Sequence, residues 1–162
     1  MSNLQVQHDV EQLLYRQAEH LDTKNWKAWI DLFTPEGIYW MPPDASYKTW
    51  DGQPAIFAED KNLMTVRMLR VLHPDAWSQR PLWETNHVVS NVSVKKINKN
   101  GDLEATSRFH MMELRRDDVR HFGGTYRHTL VRDADGALRI TLQRVDLFNA
   151  QAPFDYVLQV WV

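Results

Sequence analysis

Helical spacing of apolar residues dominates the first part of the chain. Between Gln5 and Asp22 such residues recur every three or four positions, which predicts an amphipathic helix with one face turned to a core. That face consists of Val6, Val10, Leu13, Leu14, Gln17 and Leu21. Asn25 is suited to cap a second, short helix, which Pro35 and Gly37 are expected to end. The shared face of this second helix consists of Trp26, Trp29, Ile30 and Phe33.

A short strand and a polar loop come next. Residues 37–41 read GIYWM and predict a strand, which Pro42-Pro43 stops because proline has no backbone donor. Residues 44–53 are polar and rich in turn formers, so we expect a loop with Tyr47 and Trp50 as candidate contact residues.

A third helix is predicted from Pro54 to Leu72, with proline placed in its first turn. Its apolar face consists of Ile56, Leu63, Met64, Arg67, Met68 and Val71. Glu59, Asp60 and Lys61 are expected to face solvent. Residues 73–82 contain two prolines and predict another loop.

The second half of the chain changes to the two-residue alternation of strands. Strands are predicted over Thr85–Ile97, Asp102–Leu114, Thr125–Arg132 and Ala137–Asn149. Turns at 98–101 and at Asp135-Gly136, and a turn or bulge at Gly123-Gly124, would join these strands into an antiparallel meander.

Two changes of phase interrupt the alternation. The inward positions of the strand from Asp102 are Leu103, Ala105, Ser107, Phe109 and Met111. The apolar positions then shift to Met112 and Leu114. In the last strand the inward set moves from even to odd positions, which predicts a β-bulge near Gln143-Arg144. A bulge bends a strand, so we expect a strongly curved sheet.

Early helices followed by a late meander predict an α+β fold in which the N-terminal helices cover one face of the curved antiparallel sheet. The result is a cone whose open end can contain a pocket. The length favours a single domain over residues 1–162, with a core that needs neither a metal nor a disulfide.

The composition of the chain limits which classes of binding partner and which chemistry are expected. A formal net charge of -2 provides no cationic excess for nucleic acid or for an anionic membrane, so neither partner is expected. The chain has no cysteine, which excludes disulfides, thiolate nucleophiles and cysteine-ligated clusters. The first residues lack a basic region followed by an apolar core, and we expect a cytoplasmic location.

Seven tryptophans are many for this length. The helical spacing of Trp26 and Trp29 predicts a place in the core, whereas Trp77, Trp83 and Trp161 lie in predicted loops or near the end of the sequence and are interface candidates. The segment from Ala152 to Val162 is apolar. It is expected to form a last strand of the sheet or to be buried against another subunit.

The seven histidines do not predict a metal site. His121 and His128 are seven residues apart across the Gly-Gly pair, and His73, His87 and His110 lie on separate predicted elements. Spacing alone therefore brings no two imidazoles together for a site of the kind that non-haem iron requires.

Acid–base chemistry in the open end of the cone is a stronger alternative. An apolar pocket can shift the pKa of a carboxyl group or position a neutral imidazole, and Asp31, His87, His110 and Tyr126 are the candidates. The structural alternative places Asp31 on the solvent side of its helix and His87 at the start of a strand. The sequence contains no nucleophile motif, phosphate loop or dinucleotide fingerprint.

Several segments together resemble a known family. They are LLYRQAEHLDTKNWKAWIDLF at Leu13–Phe33, YWMP at Tyr39–Pro42, the Glu59-Asp60 pair, HVVSNVSV from His87, and RVDLFNAQAPF from Arg144. In order and spacing the chain resembles the small (β) subunits of aromatic-ring-hydroxylating dioxygenases, most like the benzoate, toluate and anthranilate group. The resemblance spans nearly the whole chain and is loosest at residues 44–53 and at the end of the sequence.

The resemblance implies a nuclear-transport-factor-2-like (cystatin-like) cone that serves as a structural subunit. It implies a homotrimer of small subunits within a hexamer of three large and three small subunits. The Rieske cluster and the mononuclear iron would lie in the large (α) subunit, with electrons from NADH through a reductase. No catalytic, cofactor-binding or metal-binding residue is carried over to this chain.

Three functions therefore compete at the level of sequence. The first is a noncatalytic subunit of a dioxygenase that converts a benzoate-like aromatic acid to a cis-dihydrodiol in aromatic catabolism. The second is a free-standing cone-fold isomerase or dehydratase that uses a pocket Asp/His pair. The third is a small-molecule binding module without chemistry.

Overall fold

The structure is a computed structural model that describes residues 3–151 and 158–162. Its helices are α1 (Asn3–Asp22), α2 (Trp26–Ile30) and α3 (Lys61–Leu72), with a 3-10 turn at Trp77–Gln79. Its strands are β1 (Phe33–Met41), β2 (Phe57–Asp60), β3 (Glu84–Ile97), β4 (Leu103–Arg115), β5 (Asp118–Arg132) and β6 (Leu138–Leu147). The strands form one sheet in the order β2-β1-β6-β5-β4-β3. The predicted α+β fold with early helices and a late meander is confirmed.

The amphipathic helix at the start of the chain is confirmed. The six residues predicted for its inner face are the ones buried in α1. The helix packs on β3 and also contacts β6, so the sheet wraps around it. Val10 and Leu13 are fully buried at this contact.

The second helix is shorter than predicted. It ends at Ile30, and Phe33 opens β1 instead of continuing the helical face. Pro35 lies within β1, between Phe33 and Ile38, where the pairing with the parallel neighbour β6 is irregular. A missing backbone donor is tolerated at such an irregularity. Asn25 precedes the helix but makes no side-chain capping hydrogen bond.

The third helix starts seven residues later than predicted. Residues 57–60 form β2, which pairs with β1 in antiparallel register from Met41↔Phe57 to Ile38↔Asp60. The Asp60 carboxylate then accepts the backbone N–H of Leu63 at 2.8 Å and caps α3. Because β2 alternates, Glu59 points into the protein and is buried, contrary to the prediction that it faces solvent.

The loop at residues 44–53 is confirmed. Arg144 on β6 fixes it, since its guanidinium donates to the carbonyl of Tyr47 at 2.6 Å and to that of Ala45 at 2.9 Å. Trp50 is partly exposed on this loop.

Two details of the central hairpin differ from the predictions. β4 keeps its alternation to the end, so Glu113 is buried while Met112 and Leu114 are exposed. Gly123 and Gly124 lie inside β5 and not in a turn. A Cβ at Gly124 would lie 2.1 Å from the carbonyl oxygen of Asp146, which explains why this strand position needs glycine.

The predicted bulge in the last strand is present but lies earlier. Thr129↔Leu142 is followed by Leu130↔Ile140, so Thr141 is the extra residue of β6. Its hydroxyl donates to the carbonyl of Thr129 at 3.0 Å. The buried positions of β6 change from even numbers, ending at Ile140, to odd numbers, beginning at Gln143, as the sequence indicated.

The end of the sequence is buried within its own subunit. Residues 152–157 lie outside the described part of the chain, and so does that part of the predicted last strand. Residues 158–162 are not in a strand, and Leu158, Val160, Trp161 and Val162 are buried. Among the described helices, none has the length and apolar character needed to cross a membrane.

Candidate functional site

Asp22 ends α1 and ties this helix to the start of β3. Its Oδ1 lies 2.5 Å from His87 Nδ1 and accepts from the Thr85 hydroxyl at 2.9 Å. Its Oδ2 accepts the backbone N–H of His87 at 2.9 Å. Burial raises the pKa of Asp22, but the hydrogen bonds from His87 and Thr85 outweigh it, so the pKa is lowered overall. The carboxylate is therefore charged at neutral pH.

His87 is the other half of this pair. Its side chain is 1% exposed, and its Nε2 has no hydrogen-bond partner within the described ranges. A cleft of about 350 Å³ lies beside the pair, with Tyr15, Glu19 and Val89 also in its wall. A carboxylate that holds an imidazole beside a cleft is an arrangement capable of general acid–base chemistry.

The other candidates for acid–base chemistry are dispersed. Asp31 lies at the surface after α2 and forms an ion pair with Lys27 at 2.7 Å. The aspartate that contacts His87 is Asp22. His110 is exposed on β4, with its ring 6.0 Å from that of His121. The prediction that Asp31 and His110 point into a pocket is wrong, since both occupy outward positions.

Tyr126 and His128 point inward from β5. The ring of Tyr126 stacks on Phe109 with 4.1 Å between centroids, and burial raises the pKa of its hydroxyl well above 10. Burial lowers the pKa of His128 to about 3, and its Nε2 lies 3.2 Å from Gln17 Oε1 on α1. Both side chains therefore stay neutral at physiological pH and serve packing.

Aromatic side chains fill the space between α2, β1 and the final residues of the chain. The ring of Trp29 lies 4.8 Å from Trp161 and 5.6 Å from Tyr39. The Tyr39 hydroxyl donates to the carbonyl of Val162 and accepts the N–H of the same residue, both at 3.1 Å. These side chains belong to one continuous hydrophobic core.

A buried carboxylate anchors this aromatic cluster. Glu59 Oε2 accepts from the indole N–H of Trp161 at 3.0 Å, and Glu59 Oε1 accepts from Arg67 Nε at 2.7 Å. The Arg67 guanidinium also covers the ring of Phe57, 4.4 Å from its centroid. Since Glu59 has both a cation and a neutral donor, its burial is compensated.

The tryptophans divide differently from the prediction. Trp26 and Trp29 are in the core, as predicted. Trp83 and Trp161 are also buried, so their assignment as interface candidates is wrong; both rings pack against Trp26. Trp77 alone of the three proposed interface tryptophans is exposed, at 80%.

Two apolar surfaces face outward. The first, here named the α3 stripe, consists of Leu63, Val66, Leu69 and Leu72, each about half exposed. The second, here named the outer sheet patch, consists of Val88, Met112, Leu114 and Val119 on three adjacent strands. Exposed apolar surface arranged in contiguous groups marks interaction sites.

This chain lacks the ligands for a Rieske cluster, which the sequence resemblance assigns to the large subunit. A Rieske centre needs two cysteine ligands, and the chain has no cysteine. In residues 3–151 and 158–162, no three His, Asp or Glu side chains are grouped so that they could hold a metal ion.

Sequence reasoning missed Asp22 and Glu59 as interior polar groups. Asp22 meets His87 across 65 positions of sequence, a contact that no local spacing indicates. In β2 the buried residues Phe57 and Glu59 alternate with exposed neighbours, but four residues are too few for this alternation to predict a strand.

Comparison with known proteins gives a consistent family. A family model described as "Ring hydroxylating beta subunit" matches residues 16–153. Toluate 1,2-dioxygenase subunit beta of Pseudomonas putida is 30% identical over 156 residues, which cover 93% of this chain and 92% of the relative. The anthranilate 1,2-dioxygenase small subunit of Acinetobacter baylyi is 30% identical over 152 residues, covering 91% and 92%.

A solved structure shares the fold. The crystal structure of the beta subunit of benzoate 1,2-dioxygenase from Burkholderia mallei matches with a TM-score of 0.73 at 23% identity. The match covers 93% of this chain and 96% of that chain.

Proposed function

The chain belongs to the ring-hydroxylating beta subunit family, and from this premise we propose that it is a noncatalytic structural subunit of a dioxygenase that acts on a benzoate-like aromatic acid. The enzyme would add both atoms of dioxygen to the ring and yield a cis-dihydrodiol. The Rieske cluster, the mononuclear iron and the substrate site would belong to the large subunit, and a reductase would deliver electrons from NADH.

The observation that carries this proposal is the packed interior. The ring of Trp29 packs against those of Tyr39 and Trp161, and all three side chains are at most 1% exposed. Their packing stabilises the fold and leaves little room for a substrate among them. The interior polar groups Tyr126 and His128 stay neutral, which supports a structural role for them as well.

We further propose that three copies form a ring that supports three large subunits. In a closed ring of three, every contact joins one patch of a copy to a different patch of its neighbour. The α3 stripe and the outer sheet patch are separate apolar surfaces of the kind that obligate interfaces bury. Their exposure supports the proposal that they are the contact surfaces of this assembly.

The aromatic-acid substrate class rests on the relatives. Toluate and anthranilate, the compounds in the names of two relatives, are aromatic carboxylates. The test is turnover of the assembled enzyme with benzoate and with benzene as alternative substrates. Faster turnover of benzoate is expected, and a preference for benzene would contradict the substrate class while leaving the family intact.

The structural role is tested by expressing the chain alone and together with its large subunit. Alone, it is expected to give a trimer by light scattering, without bound iron and without hydroxylase activity. Co-expression is expected to give a larger complex of both chains. A monodisperse monomer that shows no association with the large subunit would contradict the proposal.

A second candidate function, a cone-fold isomerase or dehydratase, is favoured by the Asp22–His87 pair beside its cleft. It requires that the Asp22→Asn and His87→Gln variants lose turnover of a hydroxylated or ketonic substrate and alter its pH–rate profile. Variants that retain the wild-type rate would exclude it.

A further inference from the structure

A second cleft lies at the edge of the aromatic cluster and shares no lining residue with the cleft beside the Asp22–His87 pair. It has a volume of about 330 Å³ and is lined by residues from the start of β2, from α3, from the 3-10 turn and from positions 158 and 159. Such a volume is at the lower end of the range for small-molecule sites. A ligand of one aromatic ring is therefore the size class that it can take.

One wall of this cleft is apolar. It is formed by Ile56, Phe57, Val71 and Leu158. Phe57 and Val71 are buried members of the core, so this wall is held rigidly by the packing beneath it. A flat hydrocarbon or aromatic body could lie against it and lose its contact with water.

The lining of the cleft also carries one positive charge in excess. Arg67 is neutralised by its ion pair with Glu59 and is held in place by stacking on Phe57. Arg70, one turn further along α3, also lines the cleft and has no ion-pair partner in the part of the chain that the structure describes. A guanidinium can donate two parallel hydrogen bonds to a carboxylate, so Arg70 is suited to a monoanion.

A buried amide provides the independent polar contact. Gln79 lines the cleft although it is only 1% exposed, and its Oε1 has no hydrogen-bond partner in the described residues. Its Nε2 lies 3.3 Å from the Ser78 hydroxyl. Turning the amide by 180° would let Ser78 donate to Oε1 and would leave Nε2 free to donate to a ligand. In either orientation one buried amide atom needs a partner, and a bound polar molecule would supply it.

We propose that this cleft binds a small aromatic carboxylate, with the carboxylate on Arg70, the ring against the aliphatic side chains of the apolar wall and a polar edge on Gln79. The site is built from residues of the small subunit alone. It does not depend on the proposed assembly, because every residue that it uses belongs to one chain.

The probe for this site is 4-fluorobenzoate, titrated into the full-length chain and followed by ¹⁹F NMR. Saturable binding is expected, and the neutral isostere 4-fluorobenzamide should bind at least tenfold more weakly because it lacks the charge that Arg70 recognises. Arg70→Gln should weaken 4-fluorobenzoate binding at least tenfold. Gln79→Leu, which preserves the size of the side chain, should weaken it by a smaller factor.

Arg16→Gln is the matched control, since Arg16 is an exposed arginine on α1 and does not line this cleft. It should leave the dissociation constant within twofold of the wild-type value. Circular dichroism should show that the Arg70→Gln variant keeps the wild-type fold, because Arg70 is exposed. Absence of saturable binding to the wild type, equal binding of the benzamide, or an unchanged dissociation constant in Arg70→Gln would each overturn the proposal.

Discussion

Replacing Trp161 by alanine should unfold the protein at much lower denaturant concentration. The side chain is 1% exposed, packs against Trp26 and Trp29, and donates its indole N–H to Glu59. Truncation of a buried tryptophan to alanine costs about 3–5 kcal/mol, from lost transfer energy and the cavity left behind. A domain of ordinary stability has about 5–15 kcal/mol in total, so much of its stability would be lost.

Trp161→Phe separates the hydrogen bond from the packing. It keeps most of the ring contacts and removes the donor to the Glu59 carboxylate, which Arg67 still neutralises. A hydrogen bond to a charged group contributes about 1.5–3 kcal/mol, so this variant should lie between wild type and Trp161→Ala.

Urea unfolding followed by far-ultraviolet circular dichroism measures both changes, at one fixed protein concentration because self-association would contribute to the apparent stability. Trp77→Ala is the matched control: that side chain is 80% exposed, and its truncation should change the free energy of unfolding by less than about 0.5 kcal/mol. A loss below about 1 kcal/mol for Trp161→Ala would refute the view that the end of the chain is part of the core.

Three further predictions concern other parts of the molecule. Burial lowers the pKa of His128 from 6.5 to about 3, so between these pH values the unfolded chain binds more protons than the folded one. The free energy of unfolding should be unaffected above pH 6.5 and should fall by up to about 1.4 kcal/mol per pH unit below it. Urea titrations at several pH values should show a weaker dependence of this free energy on pH in His128→Gln. Gly124→Ala places a Cβ 2.1 Å from a backbone oxygen and should lower the free energy of unfolding, measured by heat or urea, by about 1–3 kcal/mol. Gly123→Ala should cost less, because its Cβ would meet a movable side chain at 3.2 Å. Equal costs for the two variants would contradict the strand assignment. Asp22→Asn weakens the contact with His87 and should cost about 1.5–3 kcal/mol in the same assay, whereas an unchanged midpoint would show that the pair does not hold α1 to β3.

The sequence predicted most of the elements whose patterns repeat over many residues. α1 has six inward positions at helical spacing, and β4 and β6 alternate over ten or more residues, so these three were found with nearly correct ends. β5 is the exception: it begins at Asp118, seven residues before the predicted start at Thr125. The bulge was predicted because a change of phase is visible in the sequence, although its place at Thr141 depends on pairing with Thr129.

The elements that were missed are decided by contacts distant in sequence. β2 is only four residues long, too short for alternation to compete with the helical pattern that follows it. Two adjacent glycines indicate a turn when only neighbouring residues are considered. Gly124 instead lies within β5, where it must be glycine because the backbone of β6 leaves no room for a Cβ. Asp22 was expected only to end a helix, and its role depends on where β3 places His87.

The wild-type assembly of large and small subunits, compared with one that carries His87→Gln in the small subunit, tests the central claim of a structural role most directly. The measurement is turnover of benzoate per iron, with the mass of each complex determined by light scattering. We predict equal turnover per iron in complexes of equal mass, because the small subunit would contribute no group to the reaction. A fall in turnover of tenfold or more in a complex of unchanged mass and iron content would contradict that role.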